Sequence, residues 1–179
     1  MDPDLAPFRR CPACGTPGLR FEGDKALRCA ACDFRYFHNV AVAVAGVLVL
    51  GDRLLMTRRA EAPRAGSLDL PGGFVDPAES LEAALCRELA EELGLVVPVD
   101  TPRYLFSAWN RYPYAGVVYR TSDVYFSVRL DAEPALHCAD DVAEALWLTP
   151  AEALAEELSF PTVRESLERL ARTGLETLP

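Results

Sequence analysis

The distribution of hydrophobic and polar positions predicts a protein that mixes strands and helices. The run Val40–Leu50 is almost wholly apolar; it is too short to span a membrane and is interrupted by Gly46, so it predicts a buried strand. Arg53–Arg58 predicts a second strand, and the Gly51-Asp52 pair between the two runs is typical of a hairpin turn. Three more strands are predicted, with a loop over 112–116 between the first two: Tyr104–Trp109, Val117–Leu130 and Ala145–Leu148.

Helical periodicity is clearest between Asp76 and Gly94. An apolar stripe recurs there at helical spacing: Leu81, Ala84, Leu85, Leu89 and Leu93. Asp76 suits the N-cap, Pro77 the first helical position, and Glu79 the acid of a capping box. Gly94 suits a left-handed C-terminal cap. Two further helices are predicted near the end of the sequence: Pro150–Leu158 and Pro161–Thr173, the second capped by Gly174.

Three acids of the first predicted helix share one face. Glu88 lies three residues before Glu91 and four before Glu92, and these spacings bring side chains together on a helix. Like charges held so close repel unless a cation lies among them, and carboxylate oxygens suit Mg²⁺ or Mn²⁺. The pattern predicts a metal-dependent site for phosphate chemistry. An ordinary solvated helix face is the alternative for the Glu pair taken alone.

The longer pattern around these acids resembles the Nudix box. Gly73 is followed after five residues by Glu79, and after seven more by the segment Arg87–Leu95, which reads RELAEELGL. Every defining position of the box matches. The resemblance implies a Nudix hydrolase, which cleaves nucleoside diphosphates linked to another group. It also implies the fold class α/β, as an α/β/α sandwich around a mixed sheet.

The resemblance assigns roles to individual positions. It implies that Glu88, Glu91, Glu92 and the Gly73 carbonyl hold Mg²⁺ or Mn²⁺, and that Arg87 pairs with the box acids and keeps them in place. Clustered divalent ions supply the charge neutralisation and the activated water that pyrophosphate hydrolysis needs.

The general base is left open between several carboxylates. Box acids such as Glu88 and Glu91 serve in some relatives, and an acid of a later loop serves in others. The later candidates here are Asp140, Asp141 and Glu144. By its distance from Trp147, Asp141 resembles a position where relatives often have a metal-binding Glu. Glu144 is an equal alternative. For each of these residues, a polar loop without a role in the reaction is the remaining alternative.

The second strong pattern is a pair of CxxC motifs near the N-terminus. Cys11 and Cys14 form the first, Cys29 and Cys32 form the second, and 14 residues separate them. Four thiolates at this spacing predict a structural Zn²⁺ site, a zinc ribbon over residues 8–38 ahead of a Nudix domain over residues 39–179. Disulfides or a redox CxxC are the alternatives. Cys86 and Cys138 are interpreted as ordinary small apolar residues.

Substrate contacts are predicted in the segment SAWNRYPY. Its aromatic rings, amide and cation suit stacking on a base and contacts to phosphates, although hairpin packing is an equal alternative. The predicted substrate-binding residues are Phe74, Trp109, Asn110, Arg111, Tyr112 and Tyr114.

Charge and composition bear on partners and location. The sequence carries a net charge of −9, but residues 1–38 hold six basic and five acidic side chains. This part is therefore near neutral at +1, and the rest carries −10. An acidic surface disfavours nonspecific binding to nucleic acid. The segment 1–10 lacks the apolar core of a signal peptide, so we expect a cytoplasmic protein without a membrane anchor.

A zinc ribbon followed by a Nudix domain resembles the NADH pyrophosphatase group. Two features differ from that group: SAWNRYPYAG stands where it has Ser-Gln-Pro-Trp-Pro-Phe-Pro, and the domain that the group usually has ahead of the ribbon is not expected in these 179 residues. The expected activity is Mg²⁺-dependent hydrolysis of a small nucleotide of the NADH, ADP-ribose or FAD type. The alternatives are removal of an NAD cap from RNA and a non-catalytic nucleotide sensor. Family members are often dimers, so a homodimer is a further expectation.

Overall fold

The computed structural model describes residues 8–23, 26–114 and 116–179. Near the N-terminus, three short strands form an antiparallel sheet in the order β1-β2-β3: β1 (Leu19–Glu22), β2 (Ala26–Cys29) and β3 (Arg35–Phe37). Alternation buries one face of β2, through Leu27 and Cys29, and exposes Arg28 on the other.

The second sheet has six strands: β4 (Ala41–Leu50), β5 (Arg53–Arg59), β6 (Leu68–Asp69), β7 (Arg103–Tyr114), β8 (Val117–Arg129) and β9 (Val142–Leu148). The strand order is β6-β5-β4-β8-β7, and β9 also pairs with β5. Strand β5 runs antiparallel to β4, β6 and β9. Strand β5 therefore contacts its hairpin partner β4, the short strand β6 ahead of α1, and the last strand β9.

Three α-helices cover the two faces of this sheet: α1 (Leu81–Leu93), α2 (Pro150–Ala155) and α3 (Pro161–Thr173), followed by a short 3₁₀ helix, Leu175–Thr177. The alternating side chains of β5 divide between two cores. Leu54 and Met56 pack with the α3 residue Leu167, whereas Leu55 packs with the α1 residue Leu85. The predicted α/β/α layering is confirmed, with α1 on one face and α2 and α3 on the other.

Helix α1 begins later than predicted. Its N-cap is Ser80, whose side chain accepts a hydrogen bond from the Ala83 N–H at 3.2 Å. Asp76 is not the cap, because Ala78 has φ +74° and this left-handed residue breaks the helical path. The Glu79 carboxylate instead accepts a hydrogen bond from the Asp76 N–H at 2.7 Å. The predicted C-cap is correct: Gly94 has φ +65°.

Two later elements also differ from expectation. Strand β7 continues to Tyr114, so most of the predicted loop is strand. Helix α2 ends at Ala155 rather than near Leu158 because the chain leaves the helix to pair with β6. The Leu68 N–H donates to the Glu157 carbonyl at 2.8 Å, and the Ser159 N–H donates to the Leu68 carbonyl at 2.9 Å.

The chain divides into two compact units. One comprises the described residues up to Ala41 together with Arg111–Thr121, and the other comprises Val42–Asn110 and Ser122–Pro179. The predicted domain boundary at residues 38 and 39 stays a prediction. Within the described residues, no helix combines the length and the apolar character that crossing a membrane requires.

Candidate active site

Helix α1 presents the three predicted ligands at graded depth. Leu85, Leu89 and Leu93 are fully buried and hold one side of the helix against the sheet. Glu92 is 5% exposed, whereas the Glu88 side chain is 12% exposed and that of Glu91 is 53% exposed. The acids thus extend from the protein interior to solvent along one face of the helix.

Arg87 braces this face. Its guanidinium contacts Glu79 through two nitrogens at 2.7 and 3.2 Å, and Nη1 donates to both Glu88 and Glu91 at 3.0 Å. Nη2 also donates to the Phe74 carbonyl at 3.0 Å. The contacts with Glu79 and the resulting ion pair lower the pKa of that carboxyl. Arg87 therefore contacts three of the box acids, and its role in holding them in place for the reaction stays a prediction.

The Gly72-Gly73 turn closes over the acids. It follows β4 closely: the Gly73 carbonyl accepts from the Val44 N–H at 2.8 Å. Gly72 has φ +140°, and a Cβ there would collide with the Val44 carbonyl. A Cβ on Gly73 would collide with the Glu88 carboxylate. Two glycines are thus required for the backbone to approach both the strand and the acids.

Glu92 is the most perturbed acid of the cluster. Its carboxylate accepts from the Gly72 N–H at 2.9 Å. Burial, together with the negative charges of Asp141, Glu88 and Asp69, raises the pKa of Glu92 to about 9 despite the hydrogen bond from Gly72. Burial also raises the pKa of Glu88. A nearby cation would favour the charged forms of Glu88 and Glu92 and so lower both pKa values. Carboxylate oxygens are also the ligands that a divalent ion such as Mg²⁺ prefers.

Of the three later candidates for the base, Asp140 and Asp141 lie in the segment before β9, whereas Glu144 lies within the strand. The Ala139 N–H donates to the Glu92 carbonyl at 2.9 Å, which ties this segment to the end of α1. Asp141 pairs with Arg59 at 3.3 Å, and Glu144 pairs with Arg58 at 3.0 Å. Asp141 acts electrostatically on Glu92, and the charge of Asp140 acts on Glu88.

Glu144 belongs to the other face of the sheet. It shares the side of β9 with Leu146 and Leu148, which pack into the core formed with α3. Ala145 and Trp147 face the core formed with α1. The alternation therefore directs Glu144 away from the helix that carries the acids, whereas Asp141 lies before the strand, two residues after the Ala139 contact with α1.

Two residues of this neighbourhood, Arg59 and Asp69, were not identified from the sequence. Arg59 contacts both Asp69 and Asp141, and burial raises the pKa of Asp69 to about 6. Asp69 stands between Leu68 and Leu70, and a lone acid in an apolar run is a usable sign of a buried polar group. Arg59 carried no such sign, because basic residues at strand ends are common.

The predicted substrate residues are distributed over both faces of β7. Trp109 is 64% exposed, whereas Asn110 is buried and donates to Asp123 at 3.0 Å. Neighbouring residues of a strand point to opposite faces, so these two side chains do not form one surface. Tyr112 and Tyr114 stack with ring centroids 6.1 Å apart. Phe74 is 39% exposed and Arg111 is exposed. Their roles in substrate binding stay predictions.

The four predicted zinc ligands come together in the N-terminal unit. The sulfurs of Cys11, Cys14, Cys29 and Cys32 all lie within 4.8 Å of one another. The Cys11–Cys32 and Cys14–Cys29 sulfurs are each 3.7 Å apart. A tetrahedral ion with Zn–S bonds of about 2.3 Å separates its sulfurs by about 3.8 Å. In the described part of the chain, Glu88, Glu91 and Glu92 form no equally tight group.

The two cysteine turns have the same backbone geometry. The N–H of Cys11 donates to the Thr16 carbonyl at 2.9 Å, and the N–H of Cys29 donates to the Phe34 carbonyl at 2.9 Å. The residue after each second cysteine is left-handed, with φ +72° at Gly15 and φ +62° at Asp33. Paired turns of this kind form a site that can hold a metal ion.

Comparison with known proteins places this geometry in a family. Residues 38–170 match the NUDIX domain. The NAD-capped RNA hydrolase NudC of Deinococcus radiodurans is 32% identical over 97% of this chain and 60% of its own length. The ADP-ribose pyrophosphatase of Methanocaldococcus jannaschii is 34% identical over 63% of each protein. The chain thus spans less than two thirds of the length of these relatives.

Solved structures agree with the fold. A NUDIX hydrolase from Nitrosomonas europaea superposes with a TM-score of 0.70 at 21% identity, over 96% of this chain and 94% of that one. The NUDIX domain of Shewanella oneidensis NrtR, complexed with ADP ribose, superposes with a TM-score of 0.62 at 25% identity, over 76% and 89%. The predicted mixed sheet and sandwich are confirmed. With its domain match covering most of its length, the chain belongs to the NUDIX family.

Proposed function

We propose that this chain hydrolyses the pyrophosphate bond of a nucleoside diphosphate derivative of the NADH, ADP-ribose or FAD type, with Mg²⁺ or Mn²⁺. The observation that carries the proposal is the graded row of Glu88, Glu91 and Glu92 on α1, braced by Arg87 beneath the glycine turn. The relatives named as an NAD-capped RNA hydrolase and an ADP-ribose pyrophosphatase support this substrate class.

The charge balance of the site supports bound divalent ions. Among the described residues, seven carboxyl groups and two guanidiniums interact here by ion pairs or through their charges: Glu79, Glu88, Glu91, Glu92, Asp69, Asp140 and Asp141 with Arg59 and Arg87. The acids outnumber the guanidiniums by more than three to one, so the network is suited to additional positive charge. Glu88, Glu91, Glu92 and the Gly73 carbonyl would hold the ions, which supply charge neutralisation and an activated water.

The protein's own groups then orient the reaction and accept the proton. Water adds to one phosphorus atom, the bond from that phosphorus to the bridging oxygen breaks, and the water proton passes to a carboxylate. Both products end in phosphate. We assign the proton to Asp141 rather than Glu144, because Asp141 follows the Ala139 N–H that donates to the Glu92 carbonyl, whereas Glu144 belongs to the opposite face of the sheet.

The test is a screen of ADP-ribose, NADH and FAD with product identification, followed by two isosteric variants. Asp141→Asn should reduce kcat at least about tenfold, as general-base loss does. Glu144→Gln should leave kcat within about twofold, since it alters only the exposed pair with Arg58. The reverse ranking would move the base to Glu144. Tight binding of ADP-ribose without turnover would favour the sensor alternative.

Hydrolysis of NAD-capped RNA is a second candidate, and a specific feature of the N-terminal sheet favours it. Arg20 is the cross-strand partner of Arg28, which is the partner of Arg35. Three arginines therefore form one row across β1, β2 and β3. Glu22 pairs with Arg35 and Asp33 with Arg28, so the row keeps a net charge of +1. A cationic row of this kind suits a phosphate backbone.

This candidate is tested by comparing free and RNA-linked substrate. Arg20→Gln should lower kcat/KM for NAD-capped RNA by about threefold or more, because it removes one phosphate contact. It should leave kcat/KM for free NAD unchanged. Arg172→Gln, an exposed arginine of α3, is the matched control. Equal effects of both variants on capped RNA would argue against the row as an RNA contact.

We further propose that the four cysteines bind one structural Zn²⁺, that residues 8–38 form the zinc ribbon, and that residues 39–179 form the Nudix domain. Support comes from the sulfur spacing and from the domain match, which begins at residue 38.

A further inference from the structure

The side chain of Arg59 is held from several directions. It is 14% exposed and lies at the end of β5. Nε donates to the Pro63 carbonyl at 2.9 Å. Nη1 lies 3.4 Å from an Asp69 oxygen, and Nη2 lies 3.3 Å from an Asp141 oxygen. The guanidinium thus links two acids that are 72 residues apart in sequence.

The backbone around Arg59 is equally constrained. Its N–H donates to the Ser67 carbonyl at 3.0 Å, and its carbonyl accepts from the Gly66 N–H at 2.8 Å. The next residue, Ala60, donates its N–H to the Asp141 carbonyl at 2.7 Å. Asp141 is therefore attached to the end of β5 through both its backbone and its side chain.

A change of register separates Arg59 from the arginine before it. Arg58 is the cross-strand partner of Glu144, whereas Arg59 is opposite Val142. The extra residue in β9 lets the two adjacent arginines pair with different acids. Arg58 pairs with Glu144, whose side chain is 50% exposed, and Arg59 pairs with Asp141. The chain thus contains two comparable ion pairs between the same two segments.

The second of these pairs belongs to the segment that is tied to α1, since the Ala139 N–H donates to the Glu92 carbonyl at 2.9 Å. The charges of Asp141 and of Asp69 both act on Glu92, and both are the partners of Arg59. Without the guanidinium, the Asp69 and Asp141 carboxylates would lose the positive charge between them and would repel each other. Asp141 would then move away from the cluster or take a different orientation.

We propose that Arg59 is a positioning residue for the hydrolysis: by linking the Asp141 carboxylate to Asp69, it fixes that carboxylate in the segment that Ala139 ties to the end of α1. The inference rests on the proposed function and adds a residue outside the box. Arg59 acts through Asp141 and does not itself exchange a proton. Its planar fork suits two carboxylates at once, which a lysine ammonium matches less well.

The experiment is a double-mutant cycle on kcat, using the nucleotide that the wild-type protein hydrolyses fastest among ADP-ribose, NADH and FAD. Arg59→Gln, Asp141→Asn and the double variant form the cycle. Arg58→Gln is the matched control, since it breaks the neighbouring pair between the same segments. Arg59→Lys tests rescue by a conserved charge. Thermal unfolding shows that each variant is folded at the assay temperature.

Arg59→Gln should lower kcat about tenfold or more with KM changed less than about threefold, because the affected group acts in the transition state. Arg59→Lys should recover part of that loss, and Arg58→Gln should keep kcat within about twofold. The double variant should be no slower than Asp141→Asn alone, within about threefold. This non-additivity is the signature of one residue acting through the other.

Other results would overturn the proposal. Losses that multiply in the double variant would mean that Arg59 acts independently of Asp141. A change confined to KM would make Arg59 a substrate contact, and equal losses for Arg58→Gln would make it a general support of the fold. If Arg59→Gln does not fold, Asp69→Asn replaces it in the cycle, because it releases Arg59 from its anchor. If the wild-type protein hydrolyses none of the substrates, the proposed function fails instead.

Discussion

At the scale of single residues, the site depends on how deeply each acid is placed. Glu91 is exposed and is held by Arg87, whereas Glu92 is buried and is held by a backbone N–H. A buried carboxylate with a raised pKa is costly for the fold, and such costs are concentrated at functional sites. Replacing Glu92 is therefore expected to impair hydrolysis without lowering the stability of the fold.

The first prediction concerns Glu92→Gln. Hydrolysis should fall at least about 100-fold, since a lost ion costs several kcal/mol of transition-state stabilisation. The melting temperature in metal-free buffer at neutral pH should not fall, because the amide oxygen can still accept from the Gly72 N–H and because Glu92, with its pKa raised to about 9, is itself uncharged there. Steady-state kinetics and thermal unfolding measure the two effects. Glu82→Gln on the same helix is the control and should leave both unchanged. Retained turnover would remove Glu92 from the reaction.

The acids of this site are predictable from the sequence, but not all of their partners are. Glu88, Glu91 and Glu92 share a helix, so their spacing alone predicts that they meet. Arg59 and Asp69 meet Asp141 only because three separate segments converge on the end of β5. No local pattern encodes that convergence.

At the scale of elements, the start of α1 shows how a local signal can mislead. Asp-Pro-Ala-Glu has the residue types of a helix start, yet Ala78 is left-handed and Ser80 caps the helix. The turn before the cap has its own use, since it aims Glu79 at Arg87. The displaced start therefore serves the bracing of the acids.

The second prediction tests this boundary. Ser80→Ala should lower the free energy of unfolding by about 1 kcal/mol, the usual cost of a lost N-cap. Asp76→Ala, at the position first predicted to be the cap, should change it by less than about 0.5 kcal/mol, because the Asp76 side chain is exposed. Urea denaturation of the two variants measures both values. A larger cost for Asp76→Ala would return the cap to Asp76.

On strands β7 and β9, the alternation of side chains between the two faces decides which residues share a surface. Trp109 and Asn110 are adjacent in a candidate substrate segment but have opposite exposure. Asp141 and Glu144 are three residues apart but belong to different surroundings. Period-two alternation predicts such a separation only once the strand limits are known.

At the scale of the whole molecule, the two units use different sources of stability. The six-stranded sheet has a core on each face. The three short strands of the N-terminal unit bury few large side chains, and so small a module needs a metal or another cross-link to stay folded.

The third prediction follows for the cysteines. Purified protein should contain about one Zn²⁺ per chain, measured by elemental mass spectrometry. Replacing Cys29 and Cys32 with Ser should abolish zinc binding and the protection of amides in β1, β2 and β3 against hydrogen exchange. Cys138→Ser, an exposed thiol outside the cluster, should retain both. Full zinc content in the double variant would refute the ribbon.

The sequence by itself determined the family, the layered fold, the acidic helix and the cysteine cluster. These features depend on spacings within short segments, where helix periodicity or a tight turn brings the residues together. The tertiary structure decided where α1 begins, that Glu144 lies on the sheet face away from α1, and that Arg59 links Asp141 to Asp69. Those relations arise from strand register and from contacts between distant segments, and they exist only once the sheet has formed.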